Sequence, residues 1–317
     1  MRIILAPMEG VIDHIMRDLL TQLGGIDLCM TEFVRIVDQK LPDRVFYRLS
    51  PELYEQGKTP SGTSVRIQLL GQDPDWLAEN AAVATRLGSP GIDLNFGCPA
   101  KLVNKNKGGA ILLREPETLY KIMKSVREAV PAHLPTTAKM RLGFEDKTLA
   151  IENAQALAEG GATEIAVHAR TKTEGYKPPA YWPWIAKIKQ SVECNVIANG
   201  EIWDPVNAKQ CLKESTCNDL MLGRGALATP NLASWIKGTQ EKMPWSELMT
   251  FLIRYSNYQV EGDKGLYYSN RIKQWLVYIR LQYPQAQSLF QSVRTIRKTP
   301  DMINALKAAQ IVSQTAK

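Results

Sequence analysis

Residues 91–101 read Gly-Ile-Asp-Leu-Asn-Phe-Gly-Cys-Pro-Ala-Lys, an apolar run that passes at once into a turn. Gly97 lets the backbone turn without steric cost, and Pro99 restricts its own φ angle. This pattern predicts a buried strand that ends by presenting Cys98 where a ligand could meet it. The residues alone leave open that Cys98 is a buried structural thiol, which is the more common role of a single cysteine.

Seven further apolar runs resemble the one that leads to Cys98. They are short and rich in Val, Ile and Leu, as strands covered on both faces are. The eight predicted strands cover residues 3–6, 28–33, 64–69, 92–95, 137–140, 164–168, 195–198 and 219–222. Helical segments lie between them, several opening with Asp, Pro or Thr and some ending at glycines. This alternation predicts an α/β protein built as a (β/α)8 TIM barrel.

The pattern changes after Pro244, where strand-like runs cease and helical periodicity continues. Four helices are predicted there, at residues 246–261, 269–283, 286–297 and 300–311. Gly238 and Pro244 are the breakers that separate the two regions. We therefore expect a catalytic barrel domain over residues 1–240 and a small all-helical C-terminal domain over residues 241–317.

The distribution of charge separates the same two regions. The 317-residue chain has a net charge of +7, and residues 245–317 contain ten Lys or Arg against four Asp or Glu. A basic helical domain favours a polyanionic partner, although a basic solvated surface without a partner has the same composition.

Composition also argues against several classes of protein. No apolar run reaches the about 18 residues of a transmembrane helix, and the first residues do not resemble a signal peptide. The five cysteines follow neither a disulfide framework nor a CxxC pattern, and the three histidines lie far apart. We therefore expect no membrane partner, no metal site and a cytoplasmic location.

Polar residues lie in the last positions of almost every predicted strand or just after it, at the barrel end where chemistry gathers in this fold. They include Arg35, Gln68, Asn95, Lys139, Arg141, His168, Asn199, Glu201 and Arg224. The ends of the last two strands also carry Gly200 and Gly223, where backbone N–H groups can approach a phosphate closely. Ordinary glycines at helix starts are the alternative for this pair.

Lys139 and His168 have several roles that the residues alone do not rank. Lys139 would form a Schiff base, place a positive charge beside an electron-accepting ring, or pair with a carboxylate of the barrel. His168 would act as an acid or base, form a hydrogen bond to a cofactor, or lie in the core with its hydrogen bonds made within the protein.

Together these motifs resemble the tRNA-dihydrouridine synthases, flavoproteins that reduce uridine in tRNA. The matching segments are residues 5–8, 94–99, 108–113, 139–141, 167–171, 199–202 and 223–226, together with Gln68. The Asn-x-Gly-Cys-Pro element with its later Gly-Gly-Ala is the most specific of them. The whole chain is most similar to the bacterial C subtype, which the family associates with position 16 of the D-loop. Glu201 stands where the family more often has Asp, a departure that concerns only phosphate-side contacts.

The resemblance implies reduction of the C5=C6 bond of a D-loop uridine to 5,6-dihydrouridine. Hydride would pass from reduced FMN to C6 and a proton from Cys98 to C5, with NADPH or NADH as the reductant. A proton-donating thiol must stay protonated, so its pKa should not be strongly depressed. A flavin barrel acting on a small pyrimidine, a Schiff-base lyase and a non-catalytic RNA-binding module are the competing hypotheses.

The resemblance also implies roles for individual residues, with Cys98 as the catalytic one. The implied cofactor-binding residues are Pro7, Met8, Glu9, Gln68, Lys139, His168, Asn199, Gly200, Glu201, Gly223 and Arg224. The implied tRNA-binding residues are Arg35, Asn95, Arg141, Tyr176, Arg271, Lys273, Gln274, Arg294 and Arg297. We expect the partner to be tRNA, contacted in its D-loop and elbow region, and the protein to be a monomer.

Overall fold

The computed structural model describes residues 1–258, 260 and 262–315, with side chains up to residue 311. In this part of the chain, eight parallel strands pair in sequence order and close into a barrel as β8 returns to β1. The strands are β1 (Ile3–Leu5), β2 (Leu28–Arg35), β3 (Ser64–Leu70), β4 (Ile92–Phe96), β5 (Thr136–Arg141), β6 (Glu164–His168), β7 (Asn195–Asn199) and β8 (Asp219–Leu222). The predicted (β/α)8 barrel is confirmed.

Helices follow the strands, as parallel pairing requires crossovers of a dozen or more residues. In the barrel region they are α1 (His14–Thr21), α2 (Asp43–Leu49), α3 (Pro74–Arg86), α4 (Lys101–Lys105), α5 (Pro116–Ala129), α6 (Ala150–Glu159), α7 (Trp182–Gln190) and α8 (Pro205–Ser215). Short 3₁₀ helices span Pro51–Glu55 and Gly109–Arg114.

Apolar side chains fill the barrel below its carboxyl-terminal mouth. One buried cluster takes alternate residues of neighbouring strands, as the period of two along a strand requires. Its members are Ile4, Ala6, Leu28, Met30, Ala166, Ile197 and Met221. The functional groups therefore lie on a packed floor rather than over a pore.

The C-terminal region is helical in all of its described elements. They are α9 (Arg224–Ala228), α10 (Leu232–Ile236), α11 (Trp245–Arg254), α12 (Tyr267–Ile279), α13 (Gln285–Val293) and α14 (Thr299–Thr315), with a 3₁₀ turn at Tyr255–Asn257. The predicted helix over residues 246–261 ends early, and its last residue, 261, lies outside the described residues. The α-helix gives way to the 3₁₀ turn at Tyr255. The buried ring of Tyr255 packs edge-on against neighbouring aromatic rings.

The chain separates into two compact units, one of residues 1–21 and 26–223 and one of residues 22–25 and 224–317. This division falls earlier in the chain than the expected boundary between residues 240 and 241. The physical reason is packing within the second unit, where the Trp275 indole N–H donates to the carbonyl of Leu227 at 2.9 Å. The two helices before residue 240 therefore group with the helices after it.

Two kinds of feature are absent from the part of the chain that the structure describes. No helix there is long and apolar enough to cross a membrane. No group of three or more His, Cys, Asp or Glu side chains is arranged there to hold a metal ion.

Candidate active site

The turn that follows β4 is held by side-chain hydrogen bonds. The Oδ1 atom of Asn95 accepts from the backbone N–H groups of Gly97, at 3.0 Å, and Cys98, at 2.9 Å. The Cys98 carbonyl accepts in turn from Asn104 Nδ2 at 3.0 Å and from the backbone N–H of Ala110 at 3.1 Å. Cys98 therefore has a defined position, although it stands in a loop.

Gly109 explains why a Gly-Gly pair follows this turn. Its φ angle is +67°, and a Cβ at this position would lie 3.0 Å from the Cβ of Cys98. A side chain would be strained by the left-handed backbone and would press on the cysteine. The segment after the turn thus packs directly against Cys98.

A chain of buried hydrogen bonds connects the Cys98 turn to the strands beside it. Asn95 Nδ2 donates to Gln68 Oε1 at 2.7 Å, and Gln68 Nε2 donates to Asp93 at 2.6 Å. The other oxygen of Asp93 accepts from the Thr137 hydroxyl at 2.6 Å. Since a carboxylate only accepts, Asp93 sets the orientation of the Gln68 amide, and through it that of Asn95.

Asp93 was not among the residues expected from sequence. It is buried, and desolvation raises the pKa of its carboxyl, opposed by bonds from Thr137 and Gln68 and by nearby positive charge. An acidic residue inside the apolar run 91–94 was the available signal, because such a residue is rarely buried without partners.

Lys139 lies on β5 directly across from Asn95 in the strand register. Its Nζ donates to Asn199 Oδ1 at 3.1 Å, and Asn199 Nδ2 donates to the Met221 carbonyl at 2.7 Å. Although the side chain keeps some exposure, desolvation lowers the pKa of Lys139 to about 8, with the positive charge of Arg141 acting in the same direction. The ammonium is thus held among the strand ends, and it loses its proton at a lower pH than an ordinary lysine does.

Arg141 is buried, and its guanidinium connects two loops of the site. Its Nε donates to the Gly97 carbonyl at 2.9 Å, and Nη1 donates to the carbonyls of Thr171 and Gly175 at 3.0 Å each. The guanidinium also lies 5.2 Å from the ring centre of Tyr176. Arg141 therefore holds the Cys98 turn against the loop that follows β6, and its expected contact with tRNA stays a prediction.

His168 and Tyr176 form an aromatic pair beside the end of β7. Their ring centres are 5.8 Å apart, and half of Tyr176 is exposed. Gly200 packs against His168 with a φ angle of +119°, and a Cβ there would lie 3.1 Å from His168 Cδ2. A larger residue at Gly200 would displace the imidazole.

Glu201 follows with a left-handed φ of +59° and does not present a free carboxylate. Its oxygens pair with the buried guanidinium of Arg170 and accept from Trp203 Nε1 at 2.8 Å. Because a carboxylate repels anions, any contact of this residue with a phosphate would run through its backbone N–H.

Residues at the ends of β1 and β8 also meet. A Cβ at Gly223 would lie 3.6 Å from the sulfur of Met8 and 3.7 Å from the Cβ of Ala6. Pro7 and Met8 are half-buried. The pKa of the Glu9 carboxyl is raised, first by desolvation and then by Glu32. Arg224, the remaining predicted phosphate ligand, begins α9 and belongs to the second unit.

The thiol of Cys98 is half-buried, and desolvation raises its pKa. Glu9 acts in the same direction, whereas a backbone hydrogen bond and Arg141 oppose it. The environment therefore favours the protonated thiol, as expected from sequence for a proton donor. It is the opposite of the setting that activates nucleophilic cysteines.

The residues expected to contact tRNA from the helical region lie on or after two helices of the second unit. Arg271, Lys273 and Gln274 belong to α12, and there Arg271 bonds Gln274 at 2.8 Å while Lys273 bonds the Ile296 carbonyl at 2.8 Å. Arg294 and Arg297 follow α13 and are exposed. Their roles stay predictions.

Comparisons with known proteins place the chain in a family. The sequence model of the family described as dihydrouridine synthase (Dus) matches residues 4–314. The tRNA-dihydrouridine(16) synthase of Shewanella oneidensis is 51% identical over 98% of this chain and 98% of its own. The protein of the same name from Escherichia coli K12 is 52% identical over 98% and 99%.

Solved structures of distant sequence share the barrel. A morphinone reductase mutant superposes with a TM-score of 0.52 at 14% identity, covering 79% of this chain and 90% of its own. A histamine dehydrogenase from Rhizobium sp. 4-9 gives a TM-score of 0.58 at 14% identity, covering 81% and 48%. These likenesses concern the fold alone, whereas the match over residues 4–314 extends across both units: the chain belongs to the dihydrouridine synthase family.

Proposed function

We propose that this protein is a tRNA-dihydrouridine synthase that reduces the uridine at position 16 of the tRNA D-loop. The observation that carries the proposal is Cys98, a thiol whose pKa is raised and whose turn is held by side-chain hydrogen bonds from Asn95 and Asn104 at the end of β4. Support for the position comes from full-length relatives, about half identical, that are named for it.

The residues at the mouth fit a flavin, which we take to be FMN. Gly200 leaves space where a Cβ would press on His168, and Gly223 leaves its backbone open beside Met8, as a flat ligand with a phosphate needs. Lys139 places a positive charge among the strand ends, where an anionic reduced ring would be stabilised. When bound, the reduced flavin supplies the hydride that adds to C6 of uracil.

The protein's own residues then complete the reduction. Hydride addition at C6 builds negative charge towards O4 of the base, and C5 must receive a proton. Cys98 donates that proton, because its thiol remains protonated near neutral pH. The target base must leave its stack to reach the site, at a cost of a few kcal/mol that is smallest for a loop uridine.

The substrate and reductant follow from the same assignment. tRNA binds through the basic residues of the helical region, residues 241–317 in our assignment, and we expect its affinity to fall as salt rises. Exposed Arg294 and Arg297 supply charge at this surface. We propose NADPH or NADH as the reductant, a monomeric protein and a cytoplasmic location.

The charge of Lys139 has a testable consequence for the dependence of rate on pH. The pKa of its ammonium is about 8 before the flavin binds, and an anionic ring beside it would raise that pKa. We therefore expect the single-turnover rate to fall as pH rises from about 8 upward, where the ammonium loses its charge. Cys98, whose pKa is raised, adds its own alkaline decline at higher pH. In Lys139→Arg the charge persists, because a guanidinium is protonated throughout this range.

Rates of tRNA reduction measured from about pH 6.5 to about 9.5 in both forms test this expectation. The variant should lose only the decline near pH 8 and keep the one at higher pH. If the rates of the two proteins decline equally at alkaline pH, the decline does not arise from Lys139.

The proposed function is tested on tRNA from cells that lack this protein, with dihydrouridine mapped position by position. We expect loss at position 16 alone, and restoration by the purified protein with NADPH. A matched transcript carrying cytidine at position 16 should accept no hydride. Reduction elsewhere in the D-loop would overturn the position, and reduction of free uracil or orotate but not of tRNA would favour a small-molecule oxidoreductase.

A further inference from the structure

The inner face of the barrel is not apolar all the way round. Lys139 lies across from Ala166, a member of the apolar cluster, so both residues belong to this inner face. The strand register then places Asn95 and, two residues earlier, Asp93 on the same face. The strands β3, β4 and β5 therefore line their part of the barrel with polar and charged groups, and Asp93 supplies their carboxylate.

Two chains of hydrogen bonds end on the buried carboxylate of Asp93. On one side, Asn95 Nδ2 donates to Gln68, whose Nε2 donates to Asp93. On the other side, Arg66 Nη1 donates to the Thr137 hydroxyl at 3.2 Å, and this hydroxyl donates to Asp93. Since a carboxylate has no proton to give, Asp93 fixes the direction of both chains.

The first of these chains extends to the Cys98 turn. Because Gln68 donates to Asp93, its Oε1 atom faces Asn95, whose amide nitrogen donates to it. The Oδ1 atom of Asn95 is then left to accept from the backbone N–H groups of Gly97 and Cys98. Without an acceptor at position 93, the Gln68 amide would be buried with one donor unpaired, and the turn would lose its connection to the barrel interior.

The charge of Asp93 acts on the neighbouring strand. Desolvation and the charge of Arg141 lower the pKa of Lys139, whereas the charge of Asp93 opposes them. On β6, His168 lies opposite Arg141 in the strand register. From β7, the neutral amide of Asn199 faces the Lys139 ammonium. Asp93 therefore provides negative charge that helps Lys139 to keep its proton.

We propose that Asp93 is a positioning residue for uridine reduction, acting on the proton donor through a chain of amides and on Lys139 through its own charge. Its side chain is buried, with the residue 1% exposed, so it works through these neighbours and not by contact with a ligand. The proposal rests on the proposed function, which assigns both Cys98 and Lys139 to the reduction.

Two substitutions separate the charge of this residue from its hydrogen bonds. Asp93→Asn keeps an oxygen for Gln68, and its amide nitrogen can donate to the Thr137 hydroxyl, so both contacts persist without the charge. We expect the alkaline decline of the single-turnover rate to begin about one pH unit lower than in the wild type. Asp93→Ala also removes the acceptor, so the rate at about pH 6.5 should fall about tenfold with an unchanged KM for tRNA.

Two controls show whether the shift in pH arises from Lys139. In the Lys139→Arg background the guanidinium does not titrate in this range, so adding Asp93→Asn should shift nothing. Asp219→Asn is the matched control, because Asp219 is a carboxylate at the amino end of β8 that pairs with Arg2. It should leave the pH profile at that of the wild type. Thermal unfolding measures any loss of stability, which by itself does not move a pH profile.

The bound flavin provides a readout that needs no tRNA. Its midpoint potential plotted against pH should change slope where Lys139 ionises, and Asp93→Asn should move this point to lower pH while Asp219→Asn leaves it in place. An unchanged pH profile in Asp93→Asn, or a wild-type rate in Asp93→Ala, would overturn the proposal. Failure of the proposed function is distinguishable, because a protein that reduces no tRNA would still show the displaced change of slope.

Discussion

Cys98→Ala is expected to lower the single-turnover rate of tRNA reduction by about 10²–10⁴-fold, the usual contribution of a positioned general acid. The reason is that the thiol is the protonated group whose position the turn defines, with its backbone N–H bound by Asn95 and its carbonyl by Asn104. tRNA affinity and flavin reduction by NADPH should remain at wild-type values, because neither step needs the proton.

Two further variants sharpen this experiment. Cys98→Ser retains a hydroxyl that is a much weaker acid, so its rate should lie between those of the wild type and the alanine variant. Cys194→Ala removes another half-buried thiol, next to the amino end of β7 and thus at the other end of the barrel. This control should react at the wild-type rate. Full activity in Cys98→Ala would show that another group protonates C5.

Asn95→Ala is expected to lower the same rate by about 10²-fold, the loss typical of a misplaced reacting group. Its Oδ1 accepts from two successive backbone N–H groups, so removal of the side chain leaves both without their acceptor. It also leaves Gln68 Oε1 without its donor. A buried polar group without a partner costs about 1–3 kcal/mol, which thermal unfolding should detect as reduced stability.

Asn95→Asp separates positioning of the turn from contact with the base. The aspartate keeps an acceptor for the N–H groups of Gly97 and Cys98 but presents a carboxylate to Gln68. Gln68 cannot satisfy both neighbours, since turning its amide to donate to residue 95 would point its oxygen at Asp93. We expect an intermediate rate with an unchanged KM for tRNA. A large rise in KM with an unchanged maximal rate would instead indicate that Asn95 acts by contacting the uridine.

Much of the barrel was predictable because its strands are local signals. Short runs of Val, Ile and Leu between helical segments have few other stable arrangements, and all eight predicted strands occur within a residue or two of their expected bounds. The unit boundary was less predictable. Its position depends on which helices pack together, and the bond between Trp275 and Leu227 joins residues far apart in the chain.

The candidate site residues and the turn at Cys98 could be predicted from the sequence. The hydrogen-bond partners of each residue could not. Strand register places Gln68 beside Asp93 and Asn95 beside Lys139, and a shift of one residue would have reversed the direction of every side chain. The hydrogen bond of Asp93 to Gln68 and those of Arg141 to two loops depend on how these strands are aligned.

The sequence by itself determined that this chain forms a (β/α)8 barrel with a basic helical C-terminal region, and that Cys98 stands at a strand end. These follow from local periodicity, turn chemistry and composition, which act over a few residues at a time. Only the tertiary structure decided that burial raises the pKa of the Cys98 thiol, that Asn95 holds the turn, and that Arg141 joins two loops of the site. Burial, hydrogen-bond partners and local charge depend on residues brought together from distant parts of the chain.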